Sequence, residues 1–168
     1  MFRFFLLTIS KPKFVVVRYG NVLNSRGSII PLFTQIAQDE NKKFFTVTHP
    51  EMTRFFLSLE DGIKLIEKAM EEGESGDTYI PAIPSFKIMD IAKYFSKKYD
   101  KPIKITGIRP GEKLHECLIN ESERYRTIKK ENVYIIKPCY NKQIDNPVDF
   151  MFEYTSNRAL GADVNSIL

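Results

Sequence analysis

Cysteine, histidine and closely spaced glycine are scarce in this 168-residue sequence, and each scarcity removes a class of chemistry. Two cysteines, Cys117 and Cys139, cannot by themselves build a disulfide framework or a four-ligand zinc site, which favours a reducing, cytoplasmic compartment. His49 and His115 are far apart and neither has a partner at metal-ligand spacing, so each reads as a satisfied or solvent-facing histidine. No Gly-x-Gly occurs anywhere, which leaves no dinucleotide fingerprint and no P-loop. There is no Gly-x-Ser-x-Gly elbow for a nucleophilic serine. No apolar run approaches the roughly 20 residues that a bilayer span requires. The opening segment, MFRFFLLTISKPK, has a short apolar core with no small-residue cleavage site after it, so it does not read as a secretory signal.

What is present is the composition of an ordinary globular domain: 43% hydrophobic, 12% aromatic and 27% charged residues, which excludes disorder, collagen and coiled coil. A chain of this length fits one domain and buries roughly 70% of its unfolded surface. Twenty-five basic against 21 acidic residues give a net charge of +4. The basic residues are scattered among acids, and the longest basic runs are pairs such as Lys42-Lys43, Lys97-Lys98 and Lys129-Lys130. Solvated faces explain this better than a polyanion groove, so neither nucleic acid nor membrane is expected as a partner. A phosphorylated substrate suits the mild positive bias.

Phe14 to Tyr19, FVVVRY, is a β-branched run that reads as a buried strand ended by Gly20-Asn21. A loop from Asn21 to Ser28 leads into a helix predicted from Pro31 to Asp39, with the proline in its first turn. Ser58-Leu59-Glu60-Asp61 is a capping signal; after it Leu59, Ile63, Ile66 and Met70 share one helical face, and Gly73 suits the stop. A short strand is predicted from Asp77 to Ile80, closed by Pro81 and Pro84. Ile88, Ile91, Ala92 and Phe95 repeat the helical spacing. Ile103 to Ile108 alternates like a strand until Arg109-Pro110-Gly111 breaks it, Glu112 to Leu118 reads as a short helix, and Val133 to Ile136 as a strand. Alternation of the two types argues an α/β class. The tail from Asn141 is polar and irregular, and is expected to wrap the surface.

Two Tyr-x-x-x-Lys segments, Tyr94–Lys98 and Tyr125–Lys129, place a lysine one helical turn from a tyrosine, where it lowers the phenol pKa for proton transfer. In a lysine-rich chain such matches arise by chance, and both read as decoys. Three loop arginines are more informative: Arg26 in NSRGS, Arg54 in PEMTRFF and Arg109 in GIRPGEK. A guanidinium fork matches phosphate oxygens, so two arginines in rigid loops neutralise a diphosphate, and Glu112 can accept from ribose hydroxyls. On spacing alone the alternative stands ahead: each arginine is a structural ion pair or a clamp on loop carbonyls.

At these residues the sequence resembles a known family. Arg18-Tyr19-Gly20-Asn21-Val22, Ser25-Arg26-Gly27-Ser28, Pro31-Leu32-Phe33, Thr48-His49-Pro50-Glu51-Met52-Thr53-Arg54-Phe55, Arg109-Pro110-Gly111-Glu112-Lys113-Leu114-His115-Glu116 and Glu153-Tyr154-Thr155-Ser156 are similar to motifs of the nucleotide-sugar 4,6-dehydratases. These belong to the extended short-chain dehydrogenase/reductase superfamily, and the UDP-N-acetylglucosamine 4,6-dehydratase type of surface-sugar biosynthesis is most alike. The resemblance runs in order from about Phe14 to Ser156. It implies the C-terminal part of a Rossmann-like α/β fold with its small substrate-binding subdomain: 1–13 an unmatched junction, 14–140 the substrate-binding half, 141–168 a tail.

The family reaction, by this resemblance, oxidises the sugar at C4 by hydride transfer to NAD(P), loses water across C5 and C6, and returns the hydride to C6. The residues for those steps belong to a half of the family chain that this sequence does not match. The resemblance therefore implies a chain that is inactive alone, binds no NAD(P) alone, and takes a UDP-sugar, with a separate Rossmann half and homo-oligomerisation as further partners. It assigns Asn21 to the substrate and Val22 to the nicotinamide face. Arg54 and Arg109 fall to the UDP phosphates, Glu112 to the uridine ribose, and Ser25 and Arg26 to the same cavity. A stand-alone UDP-sugar binding module and a basic polyanion-binding protein are the competing readings.

Overall fold

The computed structural model describes residues 12–140, 144, 147–148, 153–161 and 163–167. The predicted junction at 1–13 lies almost wholly outside the described residues, as does most of 141–152. In chain order the strands are β1 (Val16–Val17), β2 (Asn21–Val22), β3 (Phe45–Val47), β4 (Thr53–Leu57), β5 (Thr78–Pro81), β6 (Ser85–Lys87), β7 (Ile103–Ile105), β8 (Cys117–Ile119), β9 (Thr127–Lys130), β10 (Val133–Ile136) and β11 (Tyr154–Thr155). The helices are α1 (Ile29–Gln38), α2 (Leu59–Glu72), α3 (Ile88–Tyr99) and α4 (Glu121–Arg124). The class is α/β, as expected.

One sheet has the order β1-β5-β10-β9, with β1 parallel to β5 and the other pairs antiparallel. A second has the order β2-β4-β6, in which β2 runs parallel to β4 and β6 antiparallel. β3 and β7 form a parallel pair, and β11 pairs antiparallel with β8. The chain passes between the first two sheets at Gly20. A Cβ there would lie 2.4 Å from the Phe55 Cβ and 2.6 Å from the Phe55 carbonyl oxygen, so only glycine lets the two backbones come this close.

α1, α3, β3, β4 and β6 enclose the largest core, built on Phe33, Phe45, Phe56, Phe86, Ile91 and Phe95. Phe33 stacks edge-on against Phe95, with ring centres 5.6 Å apart. The predicted α3 face, Ile88, Ile91, Ala92 and Phe95, is buried. α2 starts and stops as its sequence predicts: the Ser58 hydroxyl accepts from the Asp61 N–H at 3.0 Å, and the Gly73 N–H donates to the Ala69 carbonyl. The buried face is another matter. Gly62, Leu65 and Ala69 face the sheet, while Leu59, Ile63, Ile66 and Met70 are exposed.

Four further expectations are corrected. The first strand covers only Val16–Val17 and is not buried, since Phe14 is 70% and Val16 53% exposed; among the described residues β1 has one strand partner, β5. The Asn21–Ser28 loop begins with strand β2, paired to β4. Glu112–Leu118 forms no helix, because side chains from β4 and the tail hold its backbone, and β8 begins at Cys117. The tail does not merely cover the surface: β11 pairs with β8, Ser156 is fully buried, and Tyr154 donates to the Ile83 carbonyl at 2.8 Å. Burial pushes the Tyr154 hydroxyl up to about 12, so it stays a donor.

Candidate functional site

Local chemistry shapes the loop after β7. Arg109-Pro110-Gly111-Glu112 is a tight turn with Gly111 at φ +80°, and the Glu112 N–H donates to the Arg109 carbonyl at 3.0 Å. Proline second and a positive-φ glycine third are what a type II turn demands. The Glu112 carboxylate then folds back: Oε2 accepts from the Arg109 N–H at 3.1 Å and Oε1 from the Thr48 hydroxyl at 3.3 Å. These bonds hold the carboxylate in place and leave further lone pairs for a ligand.

This turn closes one side of a cavity of about 210 Å³. The apolar walls come from Phe33, Val47, Phe56 and Ile88, and the polar rim from Asn21, Thr48, Arg54, Arg109 and Glu112. The cavity therefore gathers four of the residues singled out in the sequence, Asn21, Arg54, Arg109 and Glu112, from β2, β4 and the loop after β7. Ser25, Arg26 and Val22 are not among its lining residues. The Ser25 hydroxyl donates to the Val22 carbonyl at 2.8 Å and shapes the turn before α1, Arg26 is exposed, and Val22 pairs with Leu57.

Ser28, which sequence reading passed over as a site residue, lines the cavity at the N-terminus of α1. Its hydroxyl is shielded from solvent and bonds no protein group. α1 carries no acidic residue in its first turn, so its partly positive end is open to an anion. The signal was a serine directly before two apolar residues and a proline, the N-cap position of α1; Ser25 and Ser28 could be separated only by the turn between them.

Arg54 lines the cavity but is already engaged. Its Nη1 donates to the Thr53 carbonyl at 2.8 Å and the Leu114 carbonyl at 3.2 Å, and its Nη2 to the Lys113 carbonyl at 2.7 Å. Its Nε faces the Glu116 carboxylate at 3.6 Å, and the side chain is only 12% exposed. Of the five N–H donors, one on Nη2 is left for anything else. The clamp reading of this arginine, open in the sequence, is what its contacts show. Behind it, Thr53, fully buried, bonds the Ser156 hydroxyl at 2.6 Å and His115 Nδ1 at 2.8 Å, and the Glu116 N–H donates to Ser156 at 2.9 Å. Burial, and then the Arg54 charge, hold His115 below its ordinary pKa of 6.5.

With this geometry in view, residues 7–138 match the family described as "Polysaccharide biosynthesis protein". The chain belongs to that family. Among curated members, it is 43% identical over 138 residues to a UDP-N-acetylglucosamine 4,6-dehydratase (inverting) of Campylobacter jejuni, covering 82% of this chain and 40% of the relative. It is 42% identical to the capsular polysaccharide biosynthesis protein CapD of Staphylococcus aureus, covering 74% of this chain and 22% of the relative. It is also 41% identical to a UDP-glucose 4-epimerase of Rickettsia bellii, covering 75% of this chain and 37% of the relative. The X-ray structure of Pen from Bacillus thuringiensis superposes with a TM-score of 0.79 at 28% identity, covering 89% of this chain and 47% of that one. The chain thus spans less than half the length of these relatives.

Two further sequence features are accounted for within the family fold. The arginine of the Arg-Tyr-Gly-Asn-Val motif, Arg18, forms a two-pronged ion pair with Glu123 at 2.9 Å per prong and donates to the Leu118 carbonyl at 2.7 Å. Burial opposes charge on Glu123, but the bonds from Arg18 and the Asn120 N–H outweigh it and hold the carboxyl below its ordinary range. The Tyr-x-x-x-Lys segments do not form a proton-transfer pair: Lys98 lies over the Tyr94 ring at 5.5 Å, and Tyr125 caps α4 while Lys129 sits in β9.

Among the described residues no helix is long and apolar enough to cross a membrane. Nor does any group of three or more His, Cys, Asp or Glu side chains there form a metal site.

Proposed function

We propose that this chain is the UDP-sugar-binding part of a nucleotide-sugar 4,6-dehydratase-like protein of surface-polysaccharide or nonulosonic-acid sugar biosynthesis. One observation carries the reading. A single cavity brings Arg109, Glu112, Asn21 and the open end of α1 around apolar walls, which suits a diphosphate with hydroxyl-bearing groups on either side.

In this reading Arg109 supplies the guanidinium fork to the diphosphate, helped by the Ser28 hydroxyl and the α1 N-terminus. Arg54 holds the Arg109–Leu114 loop and offers one remaining N–H. Glu112 accepts from the ribose hydroxyls, and Asn21 faces the sugar. Ser25 and Arg26 act at the margin through the turn before α1.

The residues present do not fit NAD(P) by themselves. The sequence has no glycine-rich phosphate turn, and the N-terminus of α2 is capped by Ser58 and carries Glu60 and Asp61, which repel a pyrophosphate. Val22 meets a nicotinamide only in a larger assembly, and the redox and proton-transfer steps belong to residues outside this sequence. The chain's contribution is orientation of the substrate.

The test is calorimetric titration of the full chain with UDP and, separately, with uridine and with heparin. UDP binds, uridine binds at least ten-fold more weakly, and Arg109→Ala abolishes the difference. Heparin binding that collapses with salt, with no preference for UDP, would replace this reading with the polyanion one.

A further inference from the structure

We propose that Ser156 is a positioning residue for the cavity: its hydroxyl ties the tail to the segment that carries Arg109 and Glu112, and so sets UDP affinity without touching the ligand. That it acts on UDP rests on the diphosphate reading of the cavity; that it holds the segment does not.

The motif around Asn21, the Ser28 and Phe33 motifs, the Arg54 motif and the Arg109 motif each place a residue in the cavity wall. Glu153-Tyr154-Thr155-Ser156 places none, yet Ser156 is fully buried. Its hydroxyl meets three partners: the Glu116 N–H at 2.9 Å, the Thr53 hydroxyl at 2.6 Å and the Thr53 carbonyl at 3.1 Å. A serine hydroxyl offers one donor and two acceptor lone pairs, so these partners use its whole capacity. The backbone repeats the tie. The Ser156 N–H donates to the Glu116 carbonyl at 2.8 Å, and the Ser156 carbonyl accepts from the buried Ser85 hydroxyl of β6. Both backbone groups of Glu116 are thus held by one residue.

The segment needs such a hold. Every residue from Lys104 to Gly111 is exposed, and Gly107 and Gly111 have positive φ, +88° and +80°. A stretch with so few buried contacts takes its position from its ends. At the near end the Thr106 N–H donates to the Val47 carbonyl at 3.0 Å. At the far end Arg54 takes the Lys113 and Leu114 carbonyls and Ser156 takes Glu116. The two holds meet at Thr53, which precedes Arg54 and bonds Ser156.

The tail gives Ser156 a firm base. Tyr154 and Ala159 pack on the core around Phe55 and Ile119, and Val164 and Ile167 on the core around Phe33 and Phe95. A tail fixed on both cores passes its position through Ser156 to Glu116, and from there to Glu112 and Arg109.

The experiment compares the full chain with Ser156→Ala and with Tyr154→Phe. The second variant lies in the same tail and loses both bonds between the Tyr154 hydroxyl and Ile83, but none to the ligand segment. Amide exchange without ligand is read at Glu112, whose N–H bonds Arg109 and not Ser156. It quickens about five-fold or more in Ser156→Ala and stays as in the parent in Tyr154→Phe. UDP is then titrated at a temperature where both variants are folded. Ser156→Ala binds about five- to ten-fold more weakly, and Tyr154→Phe stays within about two-fold of the parent. Coupling is reciprocal, so in the parent bound UDP slows exchange of the Ser156 N–H, a response that a merely structural serine does not show. If Ser156→Ala yields no folded chain, this parent measurement decides alone. Unchanged Glu112 exchange or unchanged UDP affinity in Ser156→Ala, an equal loss of affinity in both variants, or a Ser156 N–H indifferent to UDP overturns the proposal. A parent that binds no UDP overturns the diphosphate reading and the affinity arm with it, while ligand-free exchange at Glu112 still decides whether Ser156 holds the segment.

Discussion

Replacing Arg54 by lysine separates a clamp from a phosphate ligand. Arg54 donates to three carbonyls, those of Thr53, Lys113 and Leu114, and its Nε faces Glu116. A lysine ammonium keeps the charge but, without the fork, reaches one of these acceptors well. Two charge-assisted hydrogen bonds at about 1.5 kcal/mol each are lost, the low end of their range because the Lys113 contact is near solvent, for a total of ~3 kcal/mol. In a chain of this size that lowers the melting temperature by roughly 6–12 °C. The loss is local first. The Thr53 N–H donates to the Leu114 carbonyl at 3.1 Å, so its hydrogen exchange accelerates as the loop loosens. The assay is a thermal melt without ligand, amide exchange at Thr53, and UDP titration. UDP affinity falls as well, because Arg109 and Glu112 ride on the released loop. If the ligand-free melt and the Thr53 exchange are unchanged while UDP affinity drops ten-fold, the clamp argument is wrong and Arg54 is a direct phosphate ligand.

Arg109→Lys weakens UDP binding about ten-fold or more by losing the bidentate fork, with an unchanged ligand-free melt because the Arg109 side chain is exposed. Ser156→Ala strips the fully buried bridge between Thr53 and the Glu116 N–H and costs about 1–3 kcal/mol, read as a denaturation midpoint. Gly20→Ala forces a Cβ to 2.4 Å from the Phe55 Cβ and yields little folded protein, read as the soluble fraction and its circular dichroism. His115 has a depressed native pKa, so the unfolded chain takes up a proton that the folded one resists. Stability therefore falls as the pH drops below about 6.5, and His115→Gln flattens melting temperature against pH in that window.

Where a feature rests on local chemistry, the sequence by itself determined it. The Arg109–Glu112 turn follows from proline and glycine in consecutive places, the ends of α2 from Ser58 and Gly73, and the core face of α3 from one apolar stripe. The family motifs likewise named Asn21, Arg54, Arg109 and Glu112, which line one cavity. The strands of two or three residues were mostly illegible, because alternation needs more length than β2, β3 or β6 provides. Two stripes on α2 satisfied the same helical period, and only the sheet beneath decided that the one with smaller residues goes inward. The expected helix after Glu112 lost to partners distant in sequence: Arg54 takes carbonyls about sixty residues ahead of it, and Ser156 takes the Glu116 N–H from forty residues behind. Those same contacts turned Arg54 from a free fork into a clamp. The chain specifies a donor or an acceptor by residue type, but which partner satisfies it depends on which distant backbone arrives within about 3 Å once the strands have paired.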